Sequence, residues 1–177
     1  MVEDDPRRRR RRSIRLADRD YSREGAYFVT ICAQGRRPFF GDIRDDAFHP
    51  NDAGQMIEGV WRSLPSHYSG VDIDVSQLMP NHFHGIVVLG SGAMALPDVV
   101  QRLKSLTTTR YIEGVKTQSW PRFDRRLWQR TYHEHVIRIG ADLHRIKAYI
   151  LANPANWAID RQNPAGEWQA PSAPWDV

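Results

Sequence analysis

The order of predicted elements indicates an α+β domain in which a small antiparallel β-sheet is covered by helices. Two strand-like segments, residues 71–76 and 82–89, are separated only by a short turn at Pro80 and Asn81, which implies that they pair antiparallel. Apolar side chains recur at helical spacing both before and after this pair. The pattern is that of one small sheet with helices packed on it.

Four segments are predicted to be strands. Residues 25–33, with the sequence GAYFVTICA, are rich in aromatic and β-branched side chains. Residues 71–76 alternate apolar and polar side chains, the pattern of a half-buried strand. Residues 82–89 read HFHGIVVL and predict a third strand, and residues 132–139 predict a short fourth one.

Three segments are predicted to be helices. The first is capped by Asn51 or Asp52 and runs to about Leu64, with Pro65 helping to stop it. The second covers residues 97–111. The third covers residues 141–151, in which Leu143, Ile146 and Ile150 form an apolar stripe, and it ends before Pro154.

Length and composition indicate one domain with tails. The 177 residues divide into a basic arm (residues 1–12), a single domain (13–160) and an irregular tail (161–177). No apolar stretch approaches the roughly 20 residues of a membrane span. Cys32 is the only cysteine, is expected to be buried and excludes an intrachain disulfide. We expect a cytoplasmic protein with no membrane partner.

Positive charge is concentrated in two places. Arg7 to Arg12 are six consecutive arginines, which form either a phosphate-binding arm or a plain solvated tail. Residues 99–149 carry 11 basic and 4 acidic side chains, interleaved with aromatic residues that either stack on bases or belong to the core. An anionic polymer suits this distribution. The predicted DNA-binding residues are Arg7, Arg8, Arg9, Arg10, Arg11, Arg12, Arg102, Lys104, Arg122, Arg125, Arg126 and Arg130.

The most distinctive local feature is the pair of histidines His82 and His84. Side chains at positions i and i+2 of a strand point to one face, so the two imidazoles should stand side by side. Imidazole is a common ligand of divalent transition metals, and a third ligand must come from elsewhere. Taken alone, this short motif is more typical of ordinary surface or core histidines than of a metal site.

Tyr149 and Asn153 are four residues apart and should share one edge of the third helix. The Asn153 side chain can offer a carbonyl oxygen to a metal, or it can simply end the helix. Tyr149 taken alone fits an amphipathic packing residue.

Four ordered segments together resemble the REP-associated tyrosine transposases, a branch of the HUH single-strand endonucleases within the IS200-like superfamily. They are residues 13–41, LMPNHFHGIVVL (78–89), LWQRTYHEHVIR (127–138) and AYILANP (148–154). The resemblance covers most of the chain, although the six-arginine run lies outside the family pattern.

The resemblance implies an RRM-like or ferredoxin-like sheet and a set of roles. His82 and His84 match the metal-binding histidines, Asn153 a third ligand and Tyr149 the nucleophile, with Tyr132 and Tyr111 as lower-ranked competitors. The implied cofactor is Mg²⁺ or Mn²⁺. The implied substrate is single-stranded or hairpin DNA, nicked through a 5′-phosphotyrosine intermediate. Such a protein acts at the nucleoid through DNA, as a monomer or a homodimer.

Two rival functions remain open from the residues. A non-catalytic single-strand binding module with an RRM-like sheet would use the aromatic and basic side chains and leave the histidines without a role. A structural zinc site is a weaker alternative, because such sites usually take four protein ligands and the chain has one cysteine.

Overall fold

The computed structural model describes residues 24–138 and 140–167. The elements within these ranges are β1 (Gly25–Cys32), β2 (Gly41–Arg44), β3 (Ala47–Pro50), α1 (Asp52–His67), β4 (Val71–Leu78), β5 (His82–Leu89), α2 (Leu96–Thr117), β6 (His133–Ile137) and α3 (Gly140–Ala152). The basic arm, the start of the predicted domain up to residue 23 and the end of the tail from residue 168 lie outside the described residues. The expected α+β class is confirmed.

The main sheet has the strand order β4-β5-β1-β6, and every neighbouring pair is antiparallel. β1 pairs with β5 from Gly25↔Leu89 to Cys32↔His82, and with β6 from Ala26↔Ile137 to Thr30↔His133. Because paired residues project to the same face, this register sets which side chains meet. The face that carries Phe28, Thr30 and His84 is covered by α3 and is called the α3 face below.

The larger part of the core lies on the opposite face, beneath α1 and α2. Apolar side chains of alternate strand positions, such as Val29 and Phe83, are buried there with Ile57, Trp61 and Val100 of the two helices. This arrangement follows from the apolar stripes of the helices, which have no other surface to bury.

A smaller core lies between α3 and the sheet. Phe28 and Ile86 of the sheet pack against Ile146 and Ile150 of the helix, as the apolar stripe predicts. The Lys147 ammonium group forms an ion pair with Asp74 of β4 at 2.6 Å, outside this core. These contacts hold α3 over the end of the sheet where the histidines lie.

Two helices extend beyond their predicted ends. Pro65 does not stop α1, which continues to His67. Proline in the last turn of a helix removes only one backbone N–H. The buried Leu64 side chain anchors this turn to the core, and the Tyr68 N–H donates to the Leu64 carbonyl (3.0 Å). α2 runs to Thr117, six residues beyond its predicted end, because buried Gly114 packs beneath Trp120.

The β2–β3 hairpin was not predicted. Its turn is formed by Asp45 and Asp46, which both have positive φ (49° and 57°). Two consecutive positive φ angles belong to the tight turn that usually carries Asn-Gly. The unusual turn residues and strands of only four residues conceal the hairpin in the sequence.

Candidate metal and nucleophile site

His82 and His84 lie side by side on β5, as the alternation predicts. Both side chains are fully buried, and their Nε2 atoms are 3.0 Å apart. The two rings meet edge to face, with centroids separated by 4.6 Å. The sheet therefore brings two imidazole nitrogens to a single point.

The second nitrogen of His82 is held by Asn81. The Asn81 amide nitrogen donates to the carbonyls of Arg36 (2.9 Å) and Gln162 (2.7 Å), which leaves its Oδ1 as an acceptor. His82 Nδ1–H donates to that oxygen at 2.9 Å. Neutral imidazole has one N–H, so the lone pair of His82 is on Nε2, directed toward His84.

The second nitrogen of His84 contacts Thr30 across the sheet. Thr30 Oγ1 lies 2.9 Å from His84 Nδ1, and the hydroxyl is fully buried. A hydroxyl can donate or accept a hydrogen bond. The contact therefore suits either tautomer of His84, including the one that directs a lone pair from Nε2 toward a metal.

Both imidazoles are in the form that binds metal. Burial lowers the pKa of His84 to about 3, against the opposing effect of its hydrogen bond with Asn153. Burial also lowers the pKa of His82 well below its usual range, and His84 lowers it further. Neutral rings at neutral pH are required for coordination.

Tyr149 of α3 and Asn153, which follows the last residue of that helix, reach the same place. The Asn153 side chain is hydrogen-bonded to both histidines, and its Nδ2 donates to the Tyr149 carbonyl at 2.9 Å. The Tyr149 ring is half-buried, with its centroid 5.5 Å from that of His84 and 6.0 Å from that of Phe28. Four residues singled out from the sequence thus lie together.

A segment after α3 supplies contacts that were not predicted. Asp160 Oδ2 lies 3.6 Å from His82 Nε2, and the Trp157 ring stacks on His82 with centroids 6.0 Å apart. Neither residue has a helical or strand periodicity that relates it to the histidines. Asn81 and Thr30, which support the rings, could be suspected from their places beside and opposite them only once the strand register is known.

The donor set fits a divalent metal with Asn153 included. Within the described ranges, no group of three His, Cys, Asp or Glu side chains is arranged to hold an ion. The fit therefore depends on the Asn153 amide oxygen as the third protein donor. Two neutral imidazoles favour Mn²⁺ over Mg²⁺, which prefers oxygen ligands.

The structure describes only part of the predicted DNA-binding set. Arg102, Arg122, Arg125, Arg126 and Arg130 are exposed, whereas the arginines of the arm lie outside the described residues. Their DNA contacts remain a prediction.

Lys104 is already engaged within the protein. Its ammonium group donates to the carbonyls of Gln129 (3.0 Å), Arg130 (3.5 Å) and Thr131 (3.1 Å). Three N–H groups have three acceptors, which favours a role in holding the loop before β6.

Comparison with known proteins identifies the family. The family model described as IS200-like transposase matches residues 27–153, well over half of the sequence. The chain belongs to the IS200-like transposase family. The resemblance seen in the sequence motifs is thereby confirmed at the level of this family. A Haemophilus influenzae strain Rd protein described as uncharacterized is 35% identical over 167 residues, covering 85% of this chain and 92% of that protein.

Solved structures share the fold. One is a REP-associated tyrosine transposase bound to a REP hairpin, with a TM-score of 0.60 and 20% identity over 81% of this transposase-family chain and 74% of that one. Another is a Deinococcus radiodurans R1 protein described as a candidate transposase, with a TM-score of 0.51 and 16% identity over 77% and 96% of the two chains.

Each helix of the described residues is too short or too polar to span a membrane.

Proposed function

We propose that this protein is a metal-assisted tyrosine transposase that nicks and rejoins single-stranded DNA beside a hairpin. The observation that carries the proposal is the convergence of His82, His84, Asn153 and Tyr149 at one end of the sheet. Family membership supports the reaction class. A structural neighbour bound to a REP hairpin supports hairpin DNA as the substrate, with the nucleoid as the place of action.

The reaction is a phosphoryl transfer to tyrosine. The Tyr149 oxygen attacks phosphorus in line, forming a bond to it while the bond to the 3′ oxygen breaks. The phenol gives up its proton and the departing oxygen gains one as the 3′-OH, so protons balance. Reversal by another 3′-OH transfers the strand, because the 5′-phosphotyrosine conserves the bond energy.

The protein has to compensate for a weak nucleophile. A phenol has a pKa near 10 and is mostly protonated at neutral pH. A divalent metal held by His82, His84 and Asn153 would supply Lewis-acid stabilisation of charge on the phosphate oxygens. The α3 contacts with Phe28 and Asp74 hold Tyr149 beside this position.

The decisive test is covalent capture on Tyr149. Wild-type protein incubated with an end-labelled hairpin carrying single-stranded flanks and Mn²⁺ should give a denaturation-resistant protein–DNA band. Tyr149→Phe should lose the band and all nicking while keeping the fold and DNA binding, because only the attacking oxygen is removed. Mass spectrometry should place the nucleotide on the peptide that contains Tyr149.

The same assay separates the alternatives. A nucleotide found on Tyr132 would move the nucleophile but keep the enzyme class, with Tyr132→Phe as the matched control. Full activity of Tyr149→Phe without a covalent band would leave the non-catalytic binding module as the better function. That module would also be indifferent to metal.

Variants of the metal residues test the second half of the proposal. His82→Ala and His84→Ala should abolish nicking while hairpin binding persists. Asn153→Ala should raise the metal concentration required for activity. If Asn153→Ala lowers only thermal stability, the residue is a helix terminator and the third ligand lies elsewhere.

A further inference from the structure

A second histidine stands in the same row of the sheet as the candidate site. Thr30 of β1 pairs with His84 on one side and with His133 of β6 on the other. Directly paired residues project to one face, so His133 lies on the α3 face with the site. Two strand spacings place the Cα atoms of His84 and His133 about 10 Å apart.

His133 is open to a ligand in a way that His84 is not. β6 is the last strand of the sheet within the described ranges, and the His133 side chain is exposed. A molecule bound at the buried histidines and extending along this row would therefore reach His133 at the sheet edge.

Arg161 belongs to the segment that follows α3 and lies close to the candidate site. Asp160 contacts His82, which brings the next residue to the rim of the site, and the Arg161 carbonyl accepts a hydrogen bond from the Arg36 guanidinium at 3.1 Å. Although the side chain is exposed, partial desolvation by neighbouring atoms lowers the pKa of His133, the positive charge of Arg161 lowers it further, and Glu134 opposes both effects. The Arg161 charge and the His133 imidazole therefore lie within electrostatic range of one another.

Two carboxylates limit the net charge of this rim. Glu134 follows His133 on β6, where alternation directs it to the other face of the sheet. Asp160 uses Oδ1 to accept the Gln162 N–H (2.6 Å) and turns Oδ2 toward His82. The groups in this region that suit a ligand are therefore the directional N–H donors of a neutral imidazole and a guanidinium. Net positive charge contributes less. Such donors match phosphate oxygens.

We propose that His133 and Arg161 form a phosphate-binding subsite for a nucleotide next to the one cleaved. The proposal rests on the proposed function, because it takes the position between the histidines and Tyr149 as the place of cleavage. This subsite would fix the position of the single-stranded DNA as it crosses the end of the sheet. The proposed subsite does not require the basic side chains on either side of β6, Arg130 and Arg138.

The test is phosphate-ethylation interference. The probe is a DNA hairpin with single-stranded flanks, selected for binding by the wild-type protein from a pool with randomised stem and flanks. Binding is measured with Mg²⁺ in a Tyr149→Phe background, and the nick is mapped on the same DNA with Tyr149 present. His133→Ala and Arg161→Ala should each weaken binding about tenfold. Both should lose interference at one phosphate within two nucleotides of the nick.

Matched controls are exposed residues on α1, which packs on the opposite face. His67→Ala and Arg62→Ala should leave the affinity and the interference pattern unchanged. Thermal unfolding checks each variant, and His133→Gln, which keeps an N–H donor at an exposed position, serves if His133→Ala fails to fold. Arg161→Lys should restore part of the affinity.

The outcomes are distinguishable from those of the proposed function. If the wild type nicks the DNA but both variants show an unchanged interference pattern, the proposed subsite is wrong and the proposed function is unaffected. Loss of interference in the stem, away from the nick, also overturns it. If the wild type nicks no DNA, the proposed function is wrong. The proposed subsite is then wrong as well, because it is defined by its position next to the cleaved nucleotide.

Discussion

At the scale of single residues, the histidine pair depends on polar neighbours that are themselves buried. Thr30 is fully buried beneath α3 and touches His84 through its hydroxyl. Groups that orient a ligating imidazole affect metal binding nearly as strongly as the ligand does. Thr30 is therefore the cleanest position at which to measure the support that the sheet gives to the site.

Thr30→Val is expected to weaken Mn²⁺ binding by about tenfold or more, because the imidazole of His84 loses the partner that fixes its ring. The measurement is titration calorimetry, or loss of the free Mn²⁺ resonance in electron paramagnetic spectra. Thr30→Ser should retain near wild-type affinity.

Thr107→Val is the matched control for this experiment. Its buried hydroxyl donates to the Leu103 carbonyl and accepts from the Trp128 indole, within the core on the opposite face of the sheet from the α3 face. It should cost stability, about 1–3 kcal/mol, without changing metal affinity. Wild-type Mn²⁺ affinity in Thr30→Val would show that the hydroxyl plays no part in the site.

At the scale of secondary structure elements, two helical glycines separate propensity from packing. Gly59 lies within α1, and a methyl group added there meets nothing within 4 Å. Gly114 lies near the end of α2, where a methyl group would overlap the Trp120 ring. The same change in sequence should therefore have opposite effects.

Gly59→Ala is expected to stabilise the protein by roughly 0.5–1 kcal/mol, since alanine is the better helix former. Gly114→Ala should destabilise it by about 1–3 kcal/mol, because the Trp120 ring must move in a packed core. Urea unfolding of both variants measures the difference. Equal stabilisation would mean that Trp120 does not pack on Gly114 in solution.

At the scale of the whole molecule, charge is distributed unevenly. Residues 13–98 carry 7 basic and 11 acidic side chains, whereas residues 99–149 carry 11 basic and 4 acidic ones. The six arginines of the arm add to the positive charge that residues 99–149 present to DNA only if the arm reaches the DNA. Salt dependence of binding reports such contacts, because bound phosphates release counterions.

Deleting residues 1–12 should flatten the salt dependence of single-strand binding. Loss of about six phosphate contacts changes the slope of log K against log salt by roughly 4. Fluorescence anisotropy at several salt concentrations measures this slope, and an arm with serine at all six arginine positions controls for length. An unchanged slope would identify the arm as a solvated tail.

Much of the molecule can be deduced from the sequence because its signals are local. A strand has a side-chain period of two, so His82 and His84 had to share a face of β5. A helix brings positions i and i+4 together, which places Asn153, directly after the end of α3, beside the backbone of Tyr149. The helices and the four strands of the main sheet follow from the same two periods.

Only the tertiary structure decided what surrounds the histidines. Asn81 is oriented by carbonyls 45 and 81 residues away, and Asp160 arrives from a segment without any periodic pattern. The row that joins His84 to His133 exists because β1 lies between β5 and β6, an order that no local pattern encodes. Side-chain period and helix spacing are properties of short segments. Strand order, burial and the approach of irregular segments are set by the packing of the whole chain.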